Sequence, residues 1–269
     1  MADRRLTRQR SGGSIGLNAQ RRHTLRDVKR IVISLAVVAA LVVGGPWVYI
    51  NLVRDDAPDA LTLPASTIAV TPDPTTTAPM VVTTTESELA VGDAAGGIEG
   101  MWVTASGSIA GYRVEEVLFG QRVTAVGRTS SVTGEIEIVG TSVTAATFSV
   151  DLASVTSDDG KRDSQFRTRI MDVLNHPAAT FVLTAPIALP QSAFVGGEVA
   201  ARATGELTLR GATRTVVLGL TARITDGSIE IVGSTEVVFA EFGIPDPSLP
   251  GISTEDRGTL EVLLIMERS

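Results

Sequence analysis

Cysteine is absent from this 269-residue chain. A domain within it must therefore be stabilised by burial alone, without disulfides and without thiolate ligands for a metal. Histidine is nearly absent as well, because only His176 lies beyond residue 100. One imidazole cannot build a zinc site, and the patterns HExxH, GxSxG, GxGxxG and the phosphate-binding P-loop do not occur. We therefore predict that the protein is not an enzyme, has no catalytic or metal-binding residues and needs no cofactor.

The remaining polar candidates for chemistry are weak. His176 directly precedes Pro177 at the end of a predicted helix, where an imidazole commonly meets terminal carbonyl groups. The pairs at 158–159 and 255–256 are acidic, but neither has the ligand spacing of a calcium loop. We expect both pairs to lie in solvated turns. Carboxylate pairs for glycoside hydrolysis have no marker in the sequence, and nothing specific points to them.

Positive charge is scarce after the first thirty residues. Residues 1–30 contain nine Lys and Arg against two Asp, a charge of +7, so a net charge of -7 leaves -14 on the rest. An acidic body repels phosphates, which excludes nucleic acid as a partner. The basic stretch 1–30 directly precedes the uncharged run 31–50.

That run is long enough to cross a hydrocarbon core of about 30 Å as a helix. The positive-inside rule then predicts a cytoplasmic tail over 1–30, a transmembrane helix over 31–50 and an extracytoplasmic remainder. The expected location is the cell membrane, with a single span. A cleaved signal peptide is the alternative, although the apolar run continues past its one poor cleavage site at Gly44–Gly45.

Large apolar residues are scarce between residues 51 and 100, which are rich in Thr and Pro. Such a segment cannot bury enough surface to offset the entropy of ordering it. We predict a disordered linker over 51–100 that acts as a semi-stiff stalk. Glycosylation of its threonines is an alternative role for the same composition.

Residues 101–269 form one unit of ordinary domain size, and most of it alternates between apolar and polar residues with period two. This pattern predicts strands with one buried face, and Asp226–Gly227 between two of them predicts a tight hairpin. Long consecutive antiparallel strands favour a barrel, because closure removes the sheet edges. One segment, 161–175, instead places Phe166, Ile170, Val173 and Leu174 at helical spacing. We predict a helix of three to four turns that covers one barrel end.

Three stretches in this domain resemble the YceI-like domain family: RDSQFRTRIMDVLNHPAATF (162–181), GELTLRGATRTVVLGL (205–220) and FAEFGI (239–244). The resemblance covers about residues 106–267. It implies an all-β fold, an extended, antiparallel, eight-stranded lipocalin-like barrel with one short helix, whose interior holds a long isoprenoid chain. One departure concerns the polar headgroup, because Ala240–Glu241 stand where the family commonly has a basic residue. The positions that carry the family pattern are Arg162, Asp163, Pro177, Phe181, Gly205, Leu207, Gly211, Phe242 and Gly243.

Two functions follow from such a barrel. The first is a membrane-anchored module that binds an apolar lipid, such as a polyisoprenoid or an acyl chain. The interior is then mostly Val, Leu and Ile, because aromatic residues make up only 4 % of the chain. The alternative is a rigid interaction domain with a filled core, whose protein partner the sequence does not identify. The candidate cavity residues are Phe148, Val150, Phe166, Ile170, Phe181, Leu207, Leu218, Leu220, Ile229, Ile231, Val237 and Phe239.

Overall fold

In the computed structural model, the described residues are 29, 30, 32–34, 37, 38, 57–65, 97–195, 197–225 and 227–269. The chain divides into two compact units, residues 1–55 and 56–269. In the first unit the described residues are helical, and most of the predicted span 31–50 lies outside the described residues. Among the residues that are described, no helix has both the length and the apolar character needed to cross a membrane.

The second unit is built from antiparallel strands joined mostly by short turns. The strands are β1 (Gly100–Thr104), β2 (Ile109–Leu118), β3 (Gln121–Thr129), β4 (Val132–Val139), β5 (Ser142–Asp151), β6 (Thr156–Ser157), β7 (Ala178–Leu183), β8 (Ile187–Ala188), β9 (Glu198–Leu209), β10 (Ala212–Thr225), β11 (Ser228–Val238), β12 (Ile252–Thr254) and β13 (Arg257–Arg268).

The sheet closes on itself as an eight-stranded barrel. Strand β13 pairs with β2 through its first half and with β1 through its last residues, so β1 and β2 act as one long strand. Strands β3 and β4 likewise form one long strand beside them. The ring continues through β5, β7, β9, β10, β11 and back to β13, while β6, β8 and β12 are short additions. The predicted all-β, eight-stranded closed barrel is confirmed.

Tight turns connect the strands at each end. In the turn between β9 and β10, Arg210 (φ 48°) and Gly211 (φ 77°) both have positive φ, as a two-residue hairpin turn that matches the strand twist requires. Glycine, which has no Cβ, adopts such a φ without steric cost. Of the predicted Asp226–Gly227 hairpin, Gly227 (φ 134°) joins β10 to β11, and residue 226 lies outside the described residues.

The predicted helix is shorter than its periodicity indicates. Helix α1 (Gly160–Gln165) starts at Asp159, whose side chain accepts a hydrogen bond from the backbone N–H of Lys161, and a single π turn (Phe166–Ile170) follows. Asp172 then adopts a positive φ of 50°, and the chain turns towards β7. The prediction of a helix over 161–175 is wrong in its last turn: Leu174 is 94 % exposed. Pro177, just before β7, favours an extended chain ahead of it and so opposes a longer helix.

Side chains on each strand alternate between the barrel interior and the outer wall. On β10, Leu218 is buried in the interior whereas its neighbour Val217 is 49 % exposed. Two clusters of buried apolar side chains lie one in each half of the barrel. One surrounds Met266 near the β4–β5 and β10–β11 turns, which we call the far end, and the other surrounds Phe242 near α1, which we call the helix end.

Part of the predicted disordered linker is ordered in the structure. Residues 57–65 run as an extended chain along the outer wall of the barrel, and residues 66–96 lie outside the described residues. The fold itself begins with Ile98, which is 8 % exposed, so the domain boundary lies slightly before the predicted residue 101. Four hydrogen bonds join 57–65 to arginine and glutamate side chains of distant strands, which composition alone does not reveal.

Candidate functional site

The far half of the barrel contains an apolar cavity. About 140 Å³ of it is open to the centre of a water-sized sphere, roughly ten times what one water needs. Its walls come from most of the strands of the ring, each contributing inward-facing side chains. Of the predicted cavity residues it is lined by Phe148, Val150, Phe181, Leu207, Leu218, Leu220, Ile229 and Ile231.

A second cavity of about 160 Å³ occupies the helix end. Phe166 and Ile170 of the helical segment form part of its wall, together with Val237 and Phe239 from the end of β11. The two cavities share four lining residues and therefore follow one another inside the barrel. The shared residues are Val150, Ala179, Leu260 and Val262.

Together the cavities extend along most of the barrel. On β9 the lining runs from Val199 in the first cavity to Leu209 in the second. These ten residue steps span about 33 Å along a strand, or about 25 Å along the axis for a strand tilted by about 40°. The lining places all twelve predicted residues on this path. That these residues contact a lipid remains a prediction.

Glycines in the wall explain why the interior stays hollow. Gly205 faces inward on β9, and a Cβ atom there would lie 2.5 Å from Cε2 of Phe181, so the ring covers the glycine. Phe148 covers Gly134 in the same way, and Leu220 covers Gly233. Large side chains that lie against the wall leave the axis free, which a packed core does not.

The helix end carries a polar group of side chains at the edge of the second cavity. Arg162 forms ion pairs with Asp158 and, at 3.5 Å, with Glu116 of β2. The ring of Tyr112 stacks on Phe166 with 5.2 Å between ring centroids. Tyr112, Glu116 and Arg162 all line the cavity, so a cation, a carboxylate and a phenol meet an otherwise apolar space.

Burial and charge shift the pKa values of these groups. Burial raises the pKa of Tyr112 well above its ordinary value, and the positive charge of Arg162 only partly opposes this. Burial lowers the pKa of Arg162, but the charges of Glu116 and Asp158 outweigh that effect and raise it overall. The phenol is therefore neutral and the guanidinium charged at any physiological pH.

Local hydrogen bonds hold this polar group in place. Asp163 is buried and accepts hydrogen bonds from the backbone N–H (2.8 Å) and the hydroxyl (2.6 Å) of Ser157. Thr254, on the same cavity wall, has a buried hydroxyl without a hydrogen-bond partner in the structure. Such a hydroxyl is available to a ligand.

Sequence reasoning missed Tyr112, Glu116 and Thr254. The signal was present for the first two, because the alternation of β2 places Tyr112, Val114 and Glu116 on one face. A carboxylate on the apolar face of a strand marks a polar site.

The remaining candidates for chemistry have structural roles. The ring of His176 packs against the β9–β10 turn, where a Cβ on Gly211 would lie 2.7 Å from its Cε1. In the part of the chain that the structure describes, no three His, Cys, Asp or Glu side chains are grouped as metal ligands would be. Asp159 caps α1 and Asp158 pairs with Arg162, which accounts for the first acidic pair.

Comparison with known families and structures agrees with this geometry. Residues 103–265 match the family model described as the YceI-like domain. The chain belongs to the YceI-like domain family. No curated protein matches the chain.

Several solved structures are similar to this chain at low sequence identity. A polyisoprenoid binding domain from Saccharophagus degradans, implicated in plant cell wall breakdown, is 15 % identical, with a TM-score of 0.51 over 63 % of this chain and 98 % of that one. BcnA of Burkholderia cenocepacia is 20 % identical, with a TM-score of 0.45 over 57 % and 95 %. A Campylobacter jejuni YCEI protein is 16 % identical, with a TM-score of 0.42 over 53 % and 84 %.

Proposed function

We propose that the YceI-like barrel holds one long apolar lipid along its axis, with a polyisoprenoid as the favoured chain and an acyl chain as the other form. The observation that carries this proposal is the pair of consecutive apolar cavities, about 25 Å long in total by the strand geometry. Each CH₂ group moved from water into such a space is stabilised by about 0.8 kcal/mol. A long chain therefore binds strongly without polar contacts.

The family membership supports this proposal. The Saccharophagus degradans domain of the same fold is named a polyisoprenoid binding domain. Transfer of that ligand class to this chain is our inference, since the two sequences are only 15 % identical. A flexible branched hydrocarbon suits walls made mainly of Val, Leu, Ile and Ala, which offer area without specific direction.

The polar residues at the helix end suggest the orientation of the lipid. The first cavity is lined almost entirely by apolar groups, whereas the second presents Tyr112, Glu116 and Arg162. A lipid with a polar head is therefore placed with its tail at the far end and its head near Arg162. The charged guanidinium and the neutral phenol are hydrogen-bond donors, so a head that offers oxygen acceptors is favoured.

We further propose that the barrel is anchored to a membrane and faces the extracytoplasmic side. The support is the uncharged run 31–50 next to a strongly basic stretch. A reporter that is active only outside the cytoplasm, fused after Ser269, should be active. Protection of the barrel from added protease in cells without an outer barrier would contradict this topology.

A retention experiment tests lipid binding directly. The full chain is purified in detergent, stripped of lipid, incubated with vesicles that contain a radiolabelled long-chain polyprenol, re-isolated and counted. The wild type should retain about one polyprenol per chain. Leu220→Trp puts an indole into the first cavity and should retain less than half of that amount.

The matched control is Val217→Trp on the same strand, where the side chain points outward and is 49 % exposed. It should retain as much polyprenol as the wild type. An equal load in both variants would show that the lipid binds elsewhere on the chain. A labelled long-chain fatty acid in a parallel sample separates isoprenoid from acyl-chain binding.

A further inference from the structure

The outer wall of the barrel carries a buried carboxylate. Glu261 points outward from β13, yet it is only 4 % exposed. Arg128 of β3 donates to its Oε1 from Nε (3.2 Å) and from Nη2 (2.8 Å), and Arg113 of β2 lies 3.7 Å from its Oε2. Arg128 reaches Glu261 across Gly111, where a Cβ would lie 2.8 Å from its Cγ. Because Gly111 has no side chain, the guanidinium of Arg128 can reach the carboxylate of Glu261 across the strand.

The segment 57–65, which we call the strap, lies over this cluster. Its backbone N–H at Leu61 donates to Oε2 of Glu261 at 3.4 Å. The guanidinium of Arg113 donates to the carbonyl of Pro58 at 2.6 Å, and that of Arg128 donates to the carbonyl of Asp59. The strap therefore supplies hydrogen bonds to both signs of charge in the cluster.

A second ion pair, formed by Arg223 and Glu230, contacts the strap at Pro64. Arg223 of β10 is 9 % exposed and donates from Nε to Glu230 of β11 at 3.0 Å. Its Nη1 lies 3.6 Å from Glu198, and its Nη2 donates to the carbonyl of Pro64. Four backbone groups of the strap thus contact charged side chains from β2, β3, β10 and β13.

The strap has the length and the backbone for this role. From β2, where Arg113 contacts Pro58, to β10, where Arg223 contacts Pro64, the strap crosses β13 and β11, a distance of three strand spacings or about 14 Å. The six residue steps from Pro58 to Pro64 span about 20 Å when extended. Proline at both ends favours an extended backbone whose carbonyl groups are free to accept hydrogen bonds from arginine.

We infer that the barrel wall is an intramolecular docking surface for the strap, so that the folded unit is tethered at residue 57 rather than at residue 97. The effect of this tether on the distance between the barrel and the bilayer rests on the proposed membrane anchor. Between residue 50 and residue 57 the chain reaches at most about 25 Å. A free linker over 51–100 would have a root-mean-square end-to-end distance of about 40 Å, which would allow the barrel to move that far from the membrane. Strap docking holds the lipid-binding barrel next to the bilayer.

The absence of cysteine makes the test direct, because introduced cysteines are the only ones. The full chain with Thr62→Cys in the strap and Val217→Cys on the barrel is spin-labelled at these two exposed sites and reconstituted in vesicles. Pulsed dipolar spectroscopy should give one narrow distance distribution. A broad distribution in this otherwise native chain would overturn the proposal.

Variants identify the docking contacts. Replacing Arg113, Arg128 and Arg223 together by Ala should broaden the distribution, whereas Arg214→Ala should not, because Arg214 donates only to its neighbour Thr213. A Gly/Ser sequence of the same length in place of 57–64 removes the prolines at both ends of the strap and leaves the barrel and its arginines unchanged. The strap label is then placed at Ala65→Cys, and the Gly/Ser replacement should broaden the distance distribution as the triple arginine variant does. If the distance distribution stays narrow in the triple arginine variant and in the Gly/Ser variant, the proposed docking of the strap on the barrel wall is wrong.

The membrane consequence has its own readout. Energy transfer from a dye on Val217→Cys to an acceptor in the bilayer should fall when the Gly/Ser sequence replaces the strap. Unchanged transfer would refute the short tether. Polyprenol retention, counted on the same samples, should be equal with and without the strap. A failure of lipid binding and a failure of strap docking are therefore seen separately.

Discussion

The glycines under the interior aromatic rings give the strongest test of a hollow barrel. Consider Gly205→Ala. A Cβ at this position would lie 2.5 Å from Cε2 of Phe181 and 2.5 Å from the carbonyl oxygen of Val182, distances that real Cβ atoms do not adopt. The ring of Phe181 must therefore leave the wall and swing into the first cavity, which it lines, and the backbone at Val182 must shift as well.

The energetic cost has two opposing parts. Overpacking of a well-packed site costs about 1–3 kcal/mol, and removing a glycine from a strand interior returns about 0.5–1 kcal/mol. The net loss ranges from about 0 to 2.5 kcal/mol with a midpoint of roughly 1 kcal/mol, which is a few degrees in Tm for a domain of this size. The displaced ring also fills space that the lipid needs, so polyprenol retention should fall at the same time.

Urea unfolding of the lipid-stripped chain measures the stability, with the midpoint shifting at an unchanged slope. The matched control is Gly219→Ala on β10, where a Cβ would meet nothing within 4 Å. It should leave stability unchanged or raise it by about 0.4–1 kcal/mol. Adding Phe181→Leu to Gly205→Ala should recover part of the loss. A Gly205→Ala variant with wild-type stability and full lipid retention would refute the account of the glycines.

Three further predictions concern the helix end and the outer wall. Changing Phe166 and Ile170 together to Ser should loosen the cover of the second cavity and raise the rate at which bound polyprenol exchanges with vesicles; an unchanged rate in a folded variant counts against a lid. Glu261→Ala leaves two arginines unneutralised and should cost about 3–5 kcal/mol in urea unfolding, whereas Ala at the exposed Glu255 should change stability by less than about 0.5 kcal/mol. Burial raises the pKa of the Tyr112 phenol in the folded chain above its value in the unfolded chain. The burial of this phenol therefore stabilises the fold fully below about pH 10, and the stabilisation is lost as the pH rises through the folded-state pKa. Absorbance at 295 nm should show that Tyr112 ionises only when the barrel unfolds.

The parts of the fold that local pattern determines were predictable from the sequence. Alternation with period two is a property of each strand alone, so the inward faces of β10 and β11 could be read without knowing their partners. Hairpin turns are equally local, as Gly211 shows. Because all strands of a closed barrel turn one face inward, the inward sets combine into a single lining, which is why the twelve predicted cavity residues lie together.

Features that depend on distant residues were not predictable. Leu174 fits the helical period, but the chain must turn at Asp172 to enter β7, and that turn exposes it. The polar group at the helix end needs Glu116 and Arg162, which are 46 residues apart. The strap has the composition of a disordered linker, and its order comes from side chains up to 200 residues away. Composition describes what a segment can do alone and contains no information about its partners.

The content of the barrel interior tests the central claim most directly. The full chain is purified without added lipid, extracted with organic solvent and analysed by mass spectrometry, in parallel with Leu220→Trp and Val217→Trp. We expect about one long apolar lipid per wild-type chain, the same load in Val217→Trp and a marked loss in Leu220→Trp, because residue 220 lines the first cavity and residue 217 points outward. A wild-type extract with no more lipid than that of Leu220→Trp would contradict it.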